Sequence, residues 1–322
     1  MKKIMFSAAA AAIALIGCIE KTGETPVESG DEVMMTFTVP QLATKASGTS
    51  SDDVVNDLQI FVFGGSGILE AYKQASSSSL SMTCTTGSKQ IVAVVNAPAL
   101  TQVKTLTDLR EQTSRLADND VSSLIMDGIT STVLTAASGT VPINVYRHAA
   151  RVAVSKIETA FELEQHRSMA FKVHSIYLIN VAGDRKYLEA GTPSQWWNEG
   201  DYDEQSPALL YEDLNDTLIA DSEPYTTEHY FYCYPNPVVA DSQADPWTPR
   251  HTRLVVEASL GNARYFYPVT LPVLESNKKY DVTLKITRPG STDADTPVTK
   301  DEASFRVSVQ PWQDGADVNE TI

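Results

Sequence analysis

Short runs of β-branched and aromatic residues recur along the whole chain, each closed by Gly, Ser, Asn or Pro, and this restricts the fold to stacked antiparallel sheets. In the first run Val33, Met35, Phe37 and Val39 alternate with Glu32, Met34, Thr36 and Thr38 before Pro40 ends it. A period of two turns one side to a core and the other to water. Asp57 to Phe63, Ser88 to Asn96 and Ile143 to Ile157 have the same texture. So do Phe171 to Asn180, His229 to Tyr234, Arg253 to Leu260, Ala263 to Leu271, Lys279 to Thr287 and Ser304 to Trp312. A helix is predicted only over Thr105 to Ala117, where Leu106, Leu109 and Leu116 fall near one face. One helix among many strands predicts an all-β chain, a β-sandwich architecture with a short helical insertion. With 322 residues, 42% of them hydrophobic, the chain suffices for two domains of ordinary size. These are expected over 31–158 and 159–322, the boundary lying between Ile157 and Phe171.

The amino terminus reads as an export signal. Lys2 and Lys3 form a basic start, Ala8 to Ile16 an apolar core, and Leu15-Ile16-Gly17-Cys18 a lipoprotein cleavage motif with a small residue before the Cys. The apolar stretch is too short to span a bilayer, which takes about 20 such residues. Residues 1–18 are therefore expected as signal peptide, with Cys18 the lipidated residue that ties the protein to the outer membrane. Residues 19–30, rich in Glu, Thr and Gly without periodicity, are expected as a flexible tether. Gln41 to Asp53 is a polar Ser/Gly-rich connection with a single basic residue, Lys45, next to Ala46. Exposed backbone of this kind is what a protease cuts.

Charge narrows the partners. The chain carries 41 Asp and Glu against 25 Lys and Arg, a formal net charge of -16. Such a surface repels nucleic acid and anionic lipid, so membrane association is left to the acyl chains on Cys18. Cys84 and Cys233 lie far apart, each in a strand-like run, and are expected as packed thiols rather than a bridge. The five His residues, His148, His166, His174, His229 and His251, are scattered. No metalloprotease, nucleophile-elbow or phosphate-loop motif accompanies them, so no catalytic residue, metal or cofactor is assigned. His148, inside an apolar strand, is expected as a hydrogen-bonded structural residue.

In order, the chain carries a lipobox, an amphipathic first strand, a protease-accessible basic loop and DLQIFVF (57–63). These are followed by a Met126-Asp127-Gly128 turn, RHAARVAVSKI (147–157), SNKKYDVTLKI (276–286) and VSVQPW (307–312). This order resembles the fimbrilins of type V pili, the FimA-like and Mfa-like lipoprotein pilins of Bacteroidales. The resemblance implies tandem transthyretin-like β-sandwich domains and a role as a structural subunit of a cell-surface fimbrium that supports adhesion. It also implies that a surface protease cuts the loop after the first strand, releasing it. A carboxyl-terminal strand of another pilin subunit then fills the groove.

The physics of that exchange is visible in the residues. A sandwich that loses an edge strand exposes apolar side chains and unpaired backbone, so a replacement strand binds through ladder bonds and alternate pockets. Val33, Met35, Phe37 and Val39 are the side chains released, and Phe305, Val307 and Val309 carry the matching pattern on the donor side. The tail beyond Trp312, interrupted by Glu320, is a poorer donor. Any antiparallel sandwich has alternating edge strands, so the pattern alone also fits a plain structural role. Family members are cut after Arg, whereas this loop offers Lys45. Either a Lys-directed or trypsin-like protease cuts Lys45-Ala46, or the strand stays and the protein is a lipid-anchored anchor subunit. A further alternative is a surface glycan-binding lipoprotein, in which Trp196 and Trp197, flanked by Tyr202, stack on sugar rings rather than pack inward. The sequence names no host ligand.

Overall fold

The computed structural model describes residues 30–40, 52, 54–197, 208–241, 244, 246–296, 303–312 and 320–321. From the amino end come β1 (Glu32–Thr38), β2 (Leu58–Gly64), β3 (Leu69–Ala75), β4 (Ser79–Thr85) and β5 (Gly87–Val95). After helix α1 (Leu106–Glu111) follow β6 (Thr113–Arg115), β7 (Met126–Leu134), β8 (Thr140–Pro142) and β9 (Tyr146–Arg147). The next group is β10 (Ala150–Thr159), β11 (Phe171–Ile179), β12 (Val181–Ala182), β13 (Asp184–Lys186), β14 (Trp196–Trp197) and β15 (Tyr211–Ile219). The last is β16 (His229–Cys233), β17 (Arg253–Leu260), β18 (Ala263–Thr270), β19 (Lys278–Ile286), β20 (Ala303–Pro311) and β21 (Glu320–Thr321). The chain is all-β, as its alternating runs predict.

A three-stranded sheet, β4-β1-β8, faces a five-stranded one, β3-β2-β5-β7-β9. Met35, Phe37, Ile60, Met82, Ile91 and Met126 belong to the core between them. On the outer side of the five-stranded sheet, Phe61, Phe63, Val92 and Val94 are covered by Leu106 and Leu109 of α1. A capping box starts this helix: Thr105 Oγ1 accepts from the Asp108 N–H, and the Asp108 carboxylate accepts from the Thr105 N–H. The helix stops well before the expected Ala117 because Thr113–Arg115 is taken up as a strand by β13. In the later half, β16-β10-β19-β20-β21 packs on β15-β11-β17-β18. Val152, Val154, Ile176, Leu254, Val282 and Leu284 are among the residues of that second core.

Two expectations need correction here. The run Ile143 to Ile157 is not one strand: it breaks at His148 and Ala149 between β9 and β10. β9 pairs with β7, whereas β10 pairs with β16 and β19. Sheet membership thus changes between Arg147 and Ala150, because ladder partners and not the apolar run decide it. Met126-Asp127-Gly128 is not a turn but the start of β7, paired with Gly128 opposite Ala93. A Cβ at Gly128 would lie 1.9 Å from the Asn144 carbonyl oxygen, so glycine is needed for the close crossing of that segment.

Candidate functional site

The side chains expected to leave with the first strand lie on β1 or, for Val39, immediately after it. Met35 and Phe37 are fully buried and Val39 nearly so, while Val33 is half-buried and packs at the rim of the same core. Met34, on the opposite side, is 66% exposed. β1 is not an edge strand, however. It pairs antiparallel with β4 from Glu32↔Thr85 to Thr38↔Ser79, and parallel with β8 over Thr36 to Thr38. The chain leaving β7 turns back through Gly139, whose carbonyl accepts from the Thr36 N–H at 3.1 Å, and closes the side that the sequence pattern leaves open. Withdrawal of β1 would therefore open two ladders, one on β4 and one on β8.

β20 pairs antiparallel with β19 over Lys278↔Pro311 to Ile286↔Ala303. On its other side, among the described residues, Ser308 and Val309 meet a strand, β21. Phe305, Val307 and Val309 share one face, opposite Leu284, Val282 and Tyr280, but their burial differs. Val307 is buried and Val309 packs partly against the core, whereas Phe305 remains 42% exposed. Cys18, Lys45 and Ala46 lie outside the described residues, as do Tyr202 and most of the tail beyond Trp312. Trp196 and Trp197 are half-buried against the second core, with the Trp196 ring 5.7 Å from that of Trp247.

Cys84 and Cys233 are free, buried thiols. Burial, helped by the Glu70 charge, pushes Cys84 up to about 11, and burial pushes Cys233 up to about 12, so neither forms a reactive thiolate near neutral pH.

The junction of the two halves centres on a carboxylate that sequence reasoning missed. Asp127 of β7 approaches His148 Nε2 at 2.7 Å and accepts from the Leu188 N–H at 2.6 Å. Arg185 of β13 adds charge beside them and donates to Ser276 Oγ at 2.7 Å and to the His148 carbonyl. His148 is fully buried against Tyr187 and Tyr234. Burial holds its pKa below the usual 6.5, outweighing the pull of Asp127. The unfolded chain then binds a proton at this position more readily than the folded one. Stability from this group is complete above about pH 6.5 and is lost as pH falls below it. Asp127, held below 3.8 by His148 and Arg185 against burial, keeps its contribution to lower pH. We expect the urea midpoint to drop between pH 7.5 and pH 5.5, and His148→Gln to flatten that drop. An unchanged pH profile in the variant would remove His148 as its source.

Residues 34–167 match a family model described as major fimbrial subunit protein (FimA). Among solved structures, a fimbrilin from Porphyromonas gingivalis is similar at 16% identity and a TM-score of 0.62, over 87% of this chain and 98% of that one. A candidate cell adhesion protein from Bacteroides eggerthii aligns at 18% identity and a TM-score of 0.66, over 88% and 97% of the two chains. Another from Parabacteroides distasonis aligns at 18% and 0.64, over 88% and 100%. No curated protein sequence matches the chain. Over residues 34–167 the chain is similar in sequence to the class of fimbrial subunit proteins. Within that class it resembles the FimA-type fimbrilins of Bacteroidales, in sequence over residues 34–167 and in fold over most of its length.

Proposed function

We propose that this protein is a structural subunit of a type V pilus, exported as a lipoprotein through Cys18 and assembled by strand exchange once a surface protease cuts Lys45-Ala46. Its two halves act as tandem transthyretin-like sandwiches, and its partners are other pilin subunits. What carries the reading is the seat of β1. An amphipathic strand between two others, with Met35 and Phe37 buried on one face, leaves on withdrawal a slot with hydrogen-bonding edges on both sides. Each buried side chain of this size is worth roughly 1.5–3 kcal/mol, so an incoming strand with two or three apolar anchors binds well even after ordering costs. Phe305, Val307 and Val309 supply those anchors, and the exposure of Phe305 at home means that part of its burial is still to be gained.

The same central position favours a second reading. Two ladders hold an uncut β1 strongly, as suits an anchor subunit that keeps its first strand and its lipid. N-terminal sequencing of the protein in fibres from intact cells separates the two. A start at Ala46 is expected for the stalk reading. A blocked, acylated start at Cys18 in every fibre-associated copy would overturn strand release and leave the anchor.

A further inference from the structure

β7 presents an unpaired edge that carries no charge. The strand pairs with β5 along its whole length, but β9 meets its other side at Met126 and Asp127 alone. From Ile129 to Leu134 that side has no strand against it among the described residues. Ile129, Ser131 and Val133 share the outer face with Val92 of β5 and are exposed, Ile129 at 40% and Val133 at 60%. No Asp, Glu, Lys, Arg or His occurs from Gly128 to Tyr146, in a chain of which 20% is charged. Other outer strands are guarded as edges usually are, by charged side chains. β3 carries Glu70 and Lys73, β15 carries Glu212 and Asp213, and on β4 the Ser81 carbonyl accepts from Lys73 Nζ at 2.7 Å.

We propose that the Ile129–Leu134 edge docks a second copy of this chain, the two β7 strands running antiparallel about a two-fold axis at Ser131. An open edge offers ladder hydrogen bonds to any incoming strand, so side chains and charge select the occupant. With 41 acidic residues against 25 basic ones, two copies repel each other over most of their surface, and a stretch without charge is where they approach at least cost. The edge also complements itself. A dyad at Ser131 sets Ile129 opposite Val133 of the second copy, twice, on the exposed face, and Thr130 opposite Thr132 on the other. Aliphatic and Thr–Thr cross-strand pairs of this kind are favourable. A shift of two residues either way would leave Val133 opposite Ser131 or Asp127, so the side chains fix the register. So short an edge makes a small contact, hence a weak dimer that gains strength where many copies stand in line. β7 lies in the sheet opposite the one that holds β1, so exchange at the β1 slot leaves this edge free to join neighbouring fibres side by side.

That consequence for fibres rests on the strand-exchange reading, but the dimer does not, and it is tested on the purified uncut chain carrying Cys18→Ser, so that no acyl chain contributes. Sedimentation is expected to show a reversible dimer with a dissociation constant of about 0.1 mM, as a small contact gives. Ser131→Lys and Ser131→Glu each set like charges opposite one another at the dyad, and each is expected to weaken the dimer about tenfold or more. Because Ser131 is exposed, the thermal midpoint of the monomer is expected to stay at its wild-type value in both variants. An equimolar mixture of the two variants is expected to associate at least as tightly as the wild type, since opposite charges then face each other. A chain that stays monomeric at about 1 mM overturns the proposal, as does a dimer that neither variant weakens or a mixture that fails to recover. Slow hydrogen exchange along the β7 edge in a monomeric chain would overturn it too, by showing that a segment of the same molecule covers the strand.

Discussion

Phe37→Ala is expected to destabilise the uncut chain by about 3 to 5 kcal/mol, and to leave the fibre made from cut subunits as stable as that of the wild type. Phe37 is fully buried near the end of β1, opposite Leu80 of β4 and Val141 of β8, and it packs in the core closed by β2 and β5. Truncation to Ala removes most of a ring from a space whose walls are rigid sheets on both sides, so little collapse relieves the cavity. If maturation discards β1, position 37 is no longer part of the assembled object. Urea unfolding of the purified precursor measures the first effect, and thermal dissociation of fibres grown after loop cleavage measures the second. Equal losses in precursor and fibre would mean that β1 stays in its slot, which is the behaviour of an anchor subunit and not of a stalk.

Which parts of this arrangement were legible in the sequence follows from what each strand buries. β1 alternates cleanly because only one of its faces meets the core, and β2 and β5 are continuous apolar runs because the five-stranded sheet is covered on both sides. β3 and β15 escaped notice because each is an edge strand whose side chains are mostly half-buried or exposed, with Lys73, Glu212 and Asp213 among them. Their hydrogen-bonding partners, not their composition, make them strands. The central position of β1 was equally hidden: β8 is only Thr140–Pro142, too short to carry a pattern, yet it turns an expected edge into an interior strand. Asp127 read as a turn residue because Asp-Gly usually is one. Its pairing with His148 depends on β7 and the break before β10 coming together across the junction, which no local spacing announces. Asp52, too, carries no sign in its polar neighbourhood of the two arginines that bury it.

Phe305→Asp is expected to separate folding from assembly by about two orders of magnitude. On its own sheet Phe305 is 42% exposed opposite Leu284, so a carboxylate there keeps contact with water. The monomer loses the partial burial of the ring, about 1 to 2 kcal/mol, and remains folded. If β20 of a neighbour fills the slot vacated by β1, as proposed, the same position enters a groove walled by apolar side chains such as Leu80, Met82 and Val141. There a carboxylate finds no partner, and leaving it buried costs about 3 kcal/mol or more, over a hundredfold in the affinity of each junction. Val307→Asp is not the equivalent test, because Val307 is already buried at home and its replacement damages the monomer as well. Fibre length after loop cleavage, scored by electron microscopy beside the thermal midpoint of the uncut chain, reads both quantities. Fibres of normal length from Phe305→Asp would show that β20 does not enter a neighbour through this face, and the donor would then have to be sought elsewhere in the chain.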